Sequence, residues 1–374
     1  MCKSLSTHNI TKPYLIQKPV FLPPLIIMSF AQIVIGPPGS GKSTYCNGCS
    51  QFFNAIGRHS QIVNMDPAND TLPYRCAVDI RDFITIEEIM QEQMLGPNGG
   101  LMYAMESLDK SLDLFLLQIK SLIKEEKAYL VFDCPGQVEL FTHHSSLFRI
   151  FKRLEKELDM RFCVVNLIDC FNITSPSQYV SVLLLALRSM LMMDLPQINV
   201  FSKIDMLKSY GELPFKLDYY TEVQDLEYLI PYIEQEGSSV LGKRYSRLTE
   251  IIGEIVSDFG LVSFEVLSID DKQSMINLQS VVDKANGYIF GASEVGGDTV
   301  WAEATRQGAL STYYDIQDRW IDNKEAYDRE EQRKRDELLK ERELAEQPVN
   351  VDEDDEWERA LREWEEKQGV DYVR

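Results

Sequence analysis

The stretch GPPGSGKST at residues 36–44 decides the fold of this chain. It matches the pattern G-x-x-x-x-G-K-[ST], follows the apolar run AQIVI at 31–35, and opens a predicted helix. The glycines let backbone N–H groups turn inward around phosphate oxygens, and the helix N-terminus adds partial positive charge. Lys42 is expected to reach the terminal phosphates, and the Ser43 hydroxyl is expected to bind Mg²⁺. The predicted nucleotide-binding residues here are Gly36, Pro37, Pro38, Gly39, Ser40, Gly41, Lys42, Ser43 and Thr44.

Apolar, β-branched runs recur along the chain with helical segments between them. Such alternation predicts an α/β fold with a mostly parallel sheet covered by helices on both faces, here that of a P-loop NTPase. Ligands of such sheets bind beyond the carboxyl ends of the strands. Several runs end there in a carboxylate, namely Asp66, Asp133, Asp169 and Asp205. The predicted strands are 31–35, 61–66, 128–133, 162–169, 198–205 and 263–267.

The stretch VFDCPGQVE at 131–139 is the second phosphate-side motif. A carboxylate at a strand end can hold the hydration shell of Mg²⁺, so Asp133 is predicted on the metal side, through water. The Pro-Gly pair after it lets the backbone approach a γ-phosphate, and Gln137 can then contact water or phosphate. Asp169 competes for the metal-side role, but no Pro-Gly-Gln follows it, and a structural or cleft-lining role is favoured.

The stretch FSKID at 201–205 ends another strand and predicts which base is bound. Many GTPases carry Asn-Lys-x-Asp here, with the carboxylate on the guanine N1 and N2 donors and the lysine stem over the ring. Adenine lacks that donor pair, so Asp205 favours guanine. Lys203 keeps its place in the pattern, whereas Ser202 stands where the asparagine is usual.

The stretch LGPNGGLMYAME at 95–106 concentrates turn-forming residues between two helical segments. Pro97 rigidifies the loop, Gly96 permits the turn, and Asn98 offers an uncharged donor to charge developing on a γ-phosphoryl group. A turn that only ends a helix remains the alternative.

In this order, GPPGSGKST, NMDPAND, LGPNGG, DCPGQ and SKID resemble the motifs of the GPN-loop GTPases, across about residues 28–320. Two further stretches, DIRD at 79–82 and DKANGYIFGA at 283–292, are most similar to a fungal version of the second of three eukaryotic paralogues.

The resemblance implies a dimer that binds GTP or GDP with Mg²⁺, in which each subunit sends Gly96, Pro97 and Asn98 toward its partner's phosphates. It implies that Asp66 orients the attacking water, and it places Gln137 and Glu139 near that water or at the dimer interface. A further guanine-contacting loop is expected at 267–271 (LSIDD).

The resemblance also implies work in assembling RNA polymerase II, with RNA polymerase III as a further possible client, and in bringing the enzyme to the nucleus. The expected partners are a second copy or a paralogue, with polymerase subunits or their assembly factors. Two alternatives stay open: a P-loop nucleotide or polynucleotide kinase, and a scaffold that binds GTP without significant hydrolysis. No arginine-rich lid of the kind that many kinases use is evident near the phosphate motifs.

Composition limits the other function classes. The net charge of -21 argues against a broad nucleic-acid-binding face, which needs clustered Lys and Arg. Seven scattered cysteines argue against a disulfide framework and for a reducing compartment, so a cytoplasmic protein is expected. The family resemblance implies that it can also shuttle to the nucleus. No uninterrupted apolar run has the length of a membrane span, so no membrane association is expected.

The chain is predicted to have three parts. Residues 1–27 form a disordered extension or precede the true start at Met28, and 28–320 form the GTPase domain with a helical insertion at about 206–260. Residues 321–374 hold 20 acidic and 11 basic residues and form an acidic helical or disordered tail. Trp357, Leu361 and Trp364 share one helical face there, which docks either on the chain's own domain or on a partner.

Overall fold

The computed structural model describes residues 29–126, 128–223, 225–236, 240–288, 301, 315–346 and 364. The chain divides into two compact units, Met1–Ile316 and Gln317–Arg374. The N-terminal extension predicted at 1–27 lies outside the described residues, as do Trp357 and Leu361 of the predicted tail helix.

Seven parallel strands form a single sheet within the described part of the first unit. Their spatial order is β3-β2-β4-β1-β5-β6-β7, so the strand that precedes GPPGSGKST lies at the centre of the sheet. All six predicted strands are present, and the predicted parallel sheet is confirmed. The strands are β1 Ser29–Ile35, β2 Ser60–Asn64, β3 Val78–Asp79, β4 Tyr129–Asp133, β5 Met160–Asp169, β6 Gln197–Ser202 and β7 Phe264–Leu267.

Helices cover both faces of this sheet. Successive residues of a strand point to opposite faces, and in β1 Ile33 joins one apolar cluster while Val34 joins the other. The helices of this layer are α1 Lys42–Ile56, α2 Ile86–Gln93, α3 Pro97–Lys110, α4 Leu112–Ser121, α5 Val138–Thr142, α6 Ser146–Leu158, α7 Pro176–Met193 and, numbered last in this unit, α12 Lys272–Ala285. The first cluster contains side chains of α3, α4 and α6, and the second contains side chains of α1 and α12.

The predicted insertion between β6 and β7 is helical, as expected. It contains α8 Leu207–Tyr210, α9 Leu217–Glu222, α10 Ile230–Glu236 and α11 Val240–Phe259, with 3-10 turns at Ile204–Met206 and Leu226–Leu229. Helices α10 and α11 pack on α7, so the insertion is part of the first unit and not a separate lobe.

Helix α7 bears on the expectation about membranes. Pro176–Met193 is long and apolar enough to span a membrane by length and composition, although isolated polar residues interrupt its apolar runs. Half of the helix is buried, and it contacts α5, α10 and α11, as the core helix of a globular domain would. The expectation that the protein does not associate with membranes stays a prediction.

The second unit contains α13, Lys324–Glu346, preceded by a π-helical turn at Asp318–Asp322. Side chains 325–340 are all exposed, so this part of the helix is solvated. Arg319 anchors its first turns through Asp328 at 2.9 Å and Glu331 at 3.3 Å.

Candidate functional site

The loop GPPGSGKST follows β1 and opens α1 at the carboxyl edge of the sheet. Gly36 has φ +145°, and a Cβ added there would lie 2.1 Å from the carbonyl oxygen of Leu167 in β5. No residue with a side chain fits, because that oxygen belongs to the rigid backbone of the neighbouring strand. The close contact between loop and sheet therefore requires glycine.

Lys42 is buried at the first position of α1, and its ammonium donates to the Pro37 carbonyl at 3.2 Å. Burial lowers the pKa of Lys42, while Asp133 and Asp66 act to raise it. The first N–H groups of α1 have no partner within the helix. These donors and the buried Lys42 ammonium all belong to the start of the same helix. This arrangement suits the phosphates of a nucleotide.

Asp133 ends β4 beside this loop, as predicted. Burial raises its pKa, against the lowering effects of the Tyr74 and Ser43 hydroxyls and of Lys42. Its Oδ2 accepts a hydrogen bond from the Tyr74 hydroxyl at 2.6 Å. Its Oδ1 is buried and has no hydrogen-bond partner among the described residues. A buried carboxylate oxygen without a donor fits a hydrated Mg²⁺ ion, with the Ser43 hydroxyl as a second oxygen ligand.

Asp66 lies two residues beyond the end of β2 and is half-buried. Its carboxylate accepts the N–H of Ala68 at 2.9 Å, and its own N–H donates to the side chain of Asn64 at 3.1 Å. Burial raises the pKa of Asp66, while Ala68 and Lys42 act to lower it. The carboxylate is thus fixed in orientation near Lys42, as a residue that orients water must be.

Gly136 and Gln137 connect β4 to α5. A Cβ on Gly136 would lie 2.9 Å from the Lys42 ammonium and 3.2 Å from the Pro38 backbone, so this turn touches the phosphate loop. Gln137 is half-buried at the N-cap of α5, whereas Glu139 in the first turn is exposed to solvent. Glu139 is therefore better placed for a partner surface than for contact with buried water.

The base motif lies at the end of β6. Ser202 is buried, and its hydroxyl donates to the Ser40 carbonyl at 2.8 Å and to the Ile168 carbonyl at 3.2 Å. It braces the phosphate loop, so its predicted role in nucleotide binding is indirect.

Lys203 follows in the left-handed region, with φ 58°. Its ammonium contacts the carboxylate of Asp169 at 2.7 Å, and this contact raises the pKa of Lys203. Asp169 therefore holds the lysine whose stem is expected to cover the base, which agrees with its predicted structural or cleft-lining role. Asp205 is half-buried in the 3-10 turn that follows.

The stretch 267–271, expected to form a further guanine-contacting loop, connects β7 to α12. The Ser268 carbonyl accepts a bond from the Ser274 hydroxyl at 2.7 Å, and Asp271 caps α12 through the N–H of Ser274 at 2.9 Å. Ile269 packs directly against Gly48 of α1. The loop is thereby held against the helix that carries the phosphate motif.

The stretch at 96–98 has a different local structure from the predicted one. It is the start of α3, with Gly96 as N-cap and Pro97 in the first turn, where proline is favoured. Gly96 has φ -76° and ψ 172°, which any residue adopts, so the turn does not require glycine there. The chain reverses instead at Met94, with φ 54°. Asn98 is exposed, and its side chain makes no hydrogen bond to any described residue.

Sequence patterns did not identify Tyr74 or Asn69. The Asn69 amide donates to the Ser43 hydroxyl at 3.2 Å, and Tyr74 contacts Asp133 as described above. Both residues belong to an irregular segment after β2, where no periodicity marks a functional side chain.

Comparison with known proteins gives the family. A family profile described as "Conserved hypothetical ATP binding protein" matches residues 34–288. A GPN-loop GTPase 2 from Saccharomyces cerevisiae is 83% identical over 347 residues, covering 93% of this chain and 100% of the relative. The GPN-loop GTPase 2 of Schizosaccharomyces pombe is 51% identical, covering 81% of this chain and 95% of the relative. The GPN-loop GTPase QQT1 of Arabidopsis thaliana is 46% identical, covering 80% of this chain and 100% of the relative.

A solved structure supports the same assignment. The chain aligns with an apo-form GTPase from Pyrococcus abyssi at a TM-score of 0.54 and 25% identity, over 68% of this chain and 97% of that one. The profile description mentions ATP, but the curated relatives and this neighbour are GTPases, in agreement with the SKID motif. The resemblance stated from the motifs is confirmed, and the chain belongs to the GPN-loop GTPase family.

Proposed function

We propose that this GTPase is a dimeric, Mg²⁺-dependent switch in which each protomer binds GTP and its partner completes the site. The observation that carries the nucleotide and metal part of the proposal is the buried Oδ1 of Asp133, which has no hydrogen-bond partner among the described residues. Ser43 and Lys42 are close enough to Asp133 to influence its carboxylate. That set of oxygens and charge suits the β- and γ-phosphates of a nucleotide with its metal ion.

The residues have separate tasks in the proposed reaction. The backbone of the phosphate loop and Lys42 bind the phosphates, while Asp205 and Lys203 hold guanine. Asp66 orients the attacking water, and Gln137 assists at the same point. Ser43 and, through water, Asp133 would hold Mg²⁺, which would supply positive charge to neutralise the phosphates. Positioning dominates this chemistry because phosphoryl transfer has a loose transition state.

Asn98 is proposed to act on the partner's nucleotide. Its side chain is exposed at the N-terminus of α3 and has no bond to the described residues of its own chain. An amide N–H aimed at the γ-phosphoryl group would stabilise developing charge, as an arginine finger does more strongly. Glu139, also exposed, is assigned to the same interface.

The wider role is proposed from the family resemblance. The switch would act in the assembly of RNA polymerase II, with RNA polymerase III as a further client, and in their nuclear localisation. The partners would be a second copy or a paralogue together with polymerase subunits or assembly factors. The protein would be cytoplasmic and would shuttle to the nucleus, without contacting nucleic acid or membrane itself. The net charge of -21 supports protein clients over nucleic acid.

An affinity purification from cells with two nucleotide-locked forms tests this proposal. One form is held with a non-hydrolysable GTP analogue and the other with GDP. Recovery of polymerase subunits or their assembly factors from one form and not the other is the expected result. Recovery of RNA ends or small phosphate acceptors would favour a kinase, and identical partners with no turnover of GTP would favour a scaffold.

A further inference from the structure

The segment between β2 and β3 has no helix or strand at residues 65–77, yet its base is firmly held. The Asn64 amide donates to Asp79 at 2.9 Å, and the Arg81 guanidinium pairs with Asp79 at 2.6 Å. Arg81 also donates to the Asn69 carbonyl at 2.8 Å. These contacts fix the two ends of the segment at the sheet. The interior of the segment contacts other elements.

Two side chains of this segment, Asn69 and Tyr74, reach the metal side of the site. The Asn69 amide donates to the Ser43 hydroxyl at 3.2 Å, and the Tyr74 hydroxyl donates to Asp133 Oδ2 at 2.6 Å. Ser43 and Asp133 are the two residues proposed to hold Mg²⁺. One short segment thus contacts both of them.

The bond from Tyr74 is short and has a clear direction. The phenol hydroxyl lies 2.6 Å from Asp133 Oδ2, and an ionised carboxylate oxygen can only accept, so Tyr74 is the donor. With Oδ2 occupied in this way, the carboxylate of Asp133 cannot rotate freely. Its other oxygen, Oδ1, is the buried atom without a partner among the described residues. Partners that orient a metal-side carboxylate commonly tune metal affinity.

We infer that Tyr74 is a positioning residue that aims Oδ1 of Asp133 at the Mg²⁺ shell. Together with Asn69 it couples metal binding to the order of residues 67–77. The inference rests on the proposed function, since it takes Asp133 and Ser43 as the metal-side residues. It predicts that the segment responds to the metal–nucleotide complex more than to the nucleotide alone.

The test compares Tyr74→Phe with the unmodified protein in two measurements. The first is the dissociation rate of a fluorescent GDP analogue across a range of Mg²⁺ concentrations and in a chelator. Tyr74→Phe should raise the half-effective Mg²⁺ concentration about tenfold, the smaller effect expected when a group that orients a metal-side carboxylate is lost. The dissociation rate in chelator should stay unchanged. The second is amide hydrogen exchange of residues 67–77 with saturating GDP and Mg²⁺, which should become faster.

A matched control separates this effect from a general loss of packing. Tyr179→Phe removes another buried tyrosine hydroxyl, which donates to the Tyr220 carbonyl at 2.9 Å outside the site. It should leave the Mg²⁺ titration unchanged. Asn69→Ala, which alters a half-buried side chain, should shift the titration in the same direction as Tyr74→Phe.

Two results would overturn the inference, and they are distinguishable. If Tyr74→Phe and Asn69→Ala follow the titration and exchange of the unmodified protein, the positioning role is wrong while the proposed function stands. If nucleotide dissociation from the unmodified protein does not depend on Mg²⁺ at all, the metal part of the proposed function fails, and this inference fails with it.

Discussion

The hydroxyl of Ser202 donates to the carbonyl oxygen of Ser40 at 2.8 Å, and both residues are buried. This bond joins the strand that carries the base motif to the loop that carries the phosphate motif. Serine therefore connects the two halves of the nucleotide site at a position where many GTPases have asparagine. Serine departs from the usual base motif, but its hydroxyl is the group that makes this contact.

Replacing Ser202 with alanine should weaken both the fold and nucleotide binding. The Ser40 carbonyl would lose its donor, which costs about 1–3 kcal/mol in the free energy of unfolding. A displaced loop should weaken GDP binding by roughly tenfold, equivalent to about 1.4 kcal/mol. Denaturant unfolding and calorimetric titration measure the two effects.

Ser189→Ala is the matched control for that change. Ser189 is also buried, and its hydroxyl donates to the Ala186 carbonyl at 2.9 Å within α7. The Ser189→Ala variant should lose stability without losing affinity for GDP. Equal affinity losses in the two variants would show that Ser202 acts only through general stability.

Asp205→Asn should change which base is bound. The carboxylate accepts from the two guanine donors, and an amide presents a donor where guanine also has one. The variant should therefore bind xanthosine diphosphate about a hundredfold more tightly than GDP, since unpaired buried polar groups are costly. Competition binding with GDP, ADP and xanthosine diphosphate measures it. Tight binding of ADP by the unmodified protein would contradict the assignment of guanine.

Asp283→Ala should destabilise the domain more than any surface change. Asp283 receives two bonds from the buried Arg58 guanidinium, at 2.9 and 2.6 Å, and that guanidinium lies 4.0 Å from the Tyr288 ring centroid. Removing one partner of a buried ion pair is strongly destabilising and costs about 3–5 kcal/mol in the free energy of unfolding.

Asp113→Ala provides the comparison for Asp283→Ala under the same urea titration. Asp113 pairs with Arg153 at 2.8 Å, but its side chain is 87% exposed. Its loss should cost less than about 1 kcal/mol. Similar midpoints for the two variants would mean that the Arg58–Asp283 pair does not stabilise the fold as described.

Local pattern accounts for the parts of the fold and site that could be predicted. The phosphate loop and six buried strands follow from a spaced motif and from apolar runs of several residues. The sequence pattern does not show strand β3, because Val78–Asp79 is too short to show a period and pairs only at the sheet edge. The pattern around Pro97 predicts a turn, although proline in the first helical turn is itself a start signal.

The parts of the fold and site that could not be predicted depend on contacts between residues far apart in the chain. Tyr74 meets Asp133 across 59 positions of chain, and Ser202 meets Ser40 across 162. No local pattern encodes such pairs, because they depend on which strands the topology brings side by side. The hydroxyl of Ser202 could be identified as a candidate from its motif position, but its partner could not.

In the proposed dimer, one protomer holds the nucleotide and its neighbour completes the site. Mixing Asn98→Ala protein with Lys42→Ala protein tests it directly, since each alone lacks a needed group in every site. If Asn98 acts across the dimer, each mixed dimer contains one complete site. Random pairing should then restore about a quarter of the unmodified GTP turnover. If both groups act within one chain, no site is complete, and mixing that restores no turnover would contradict the account.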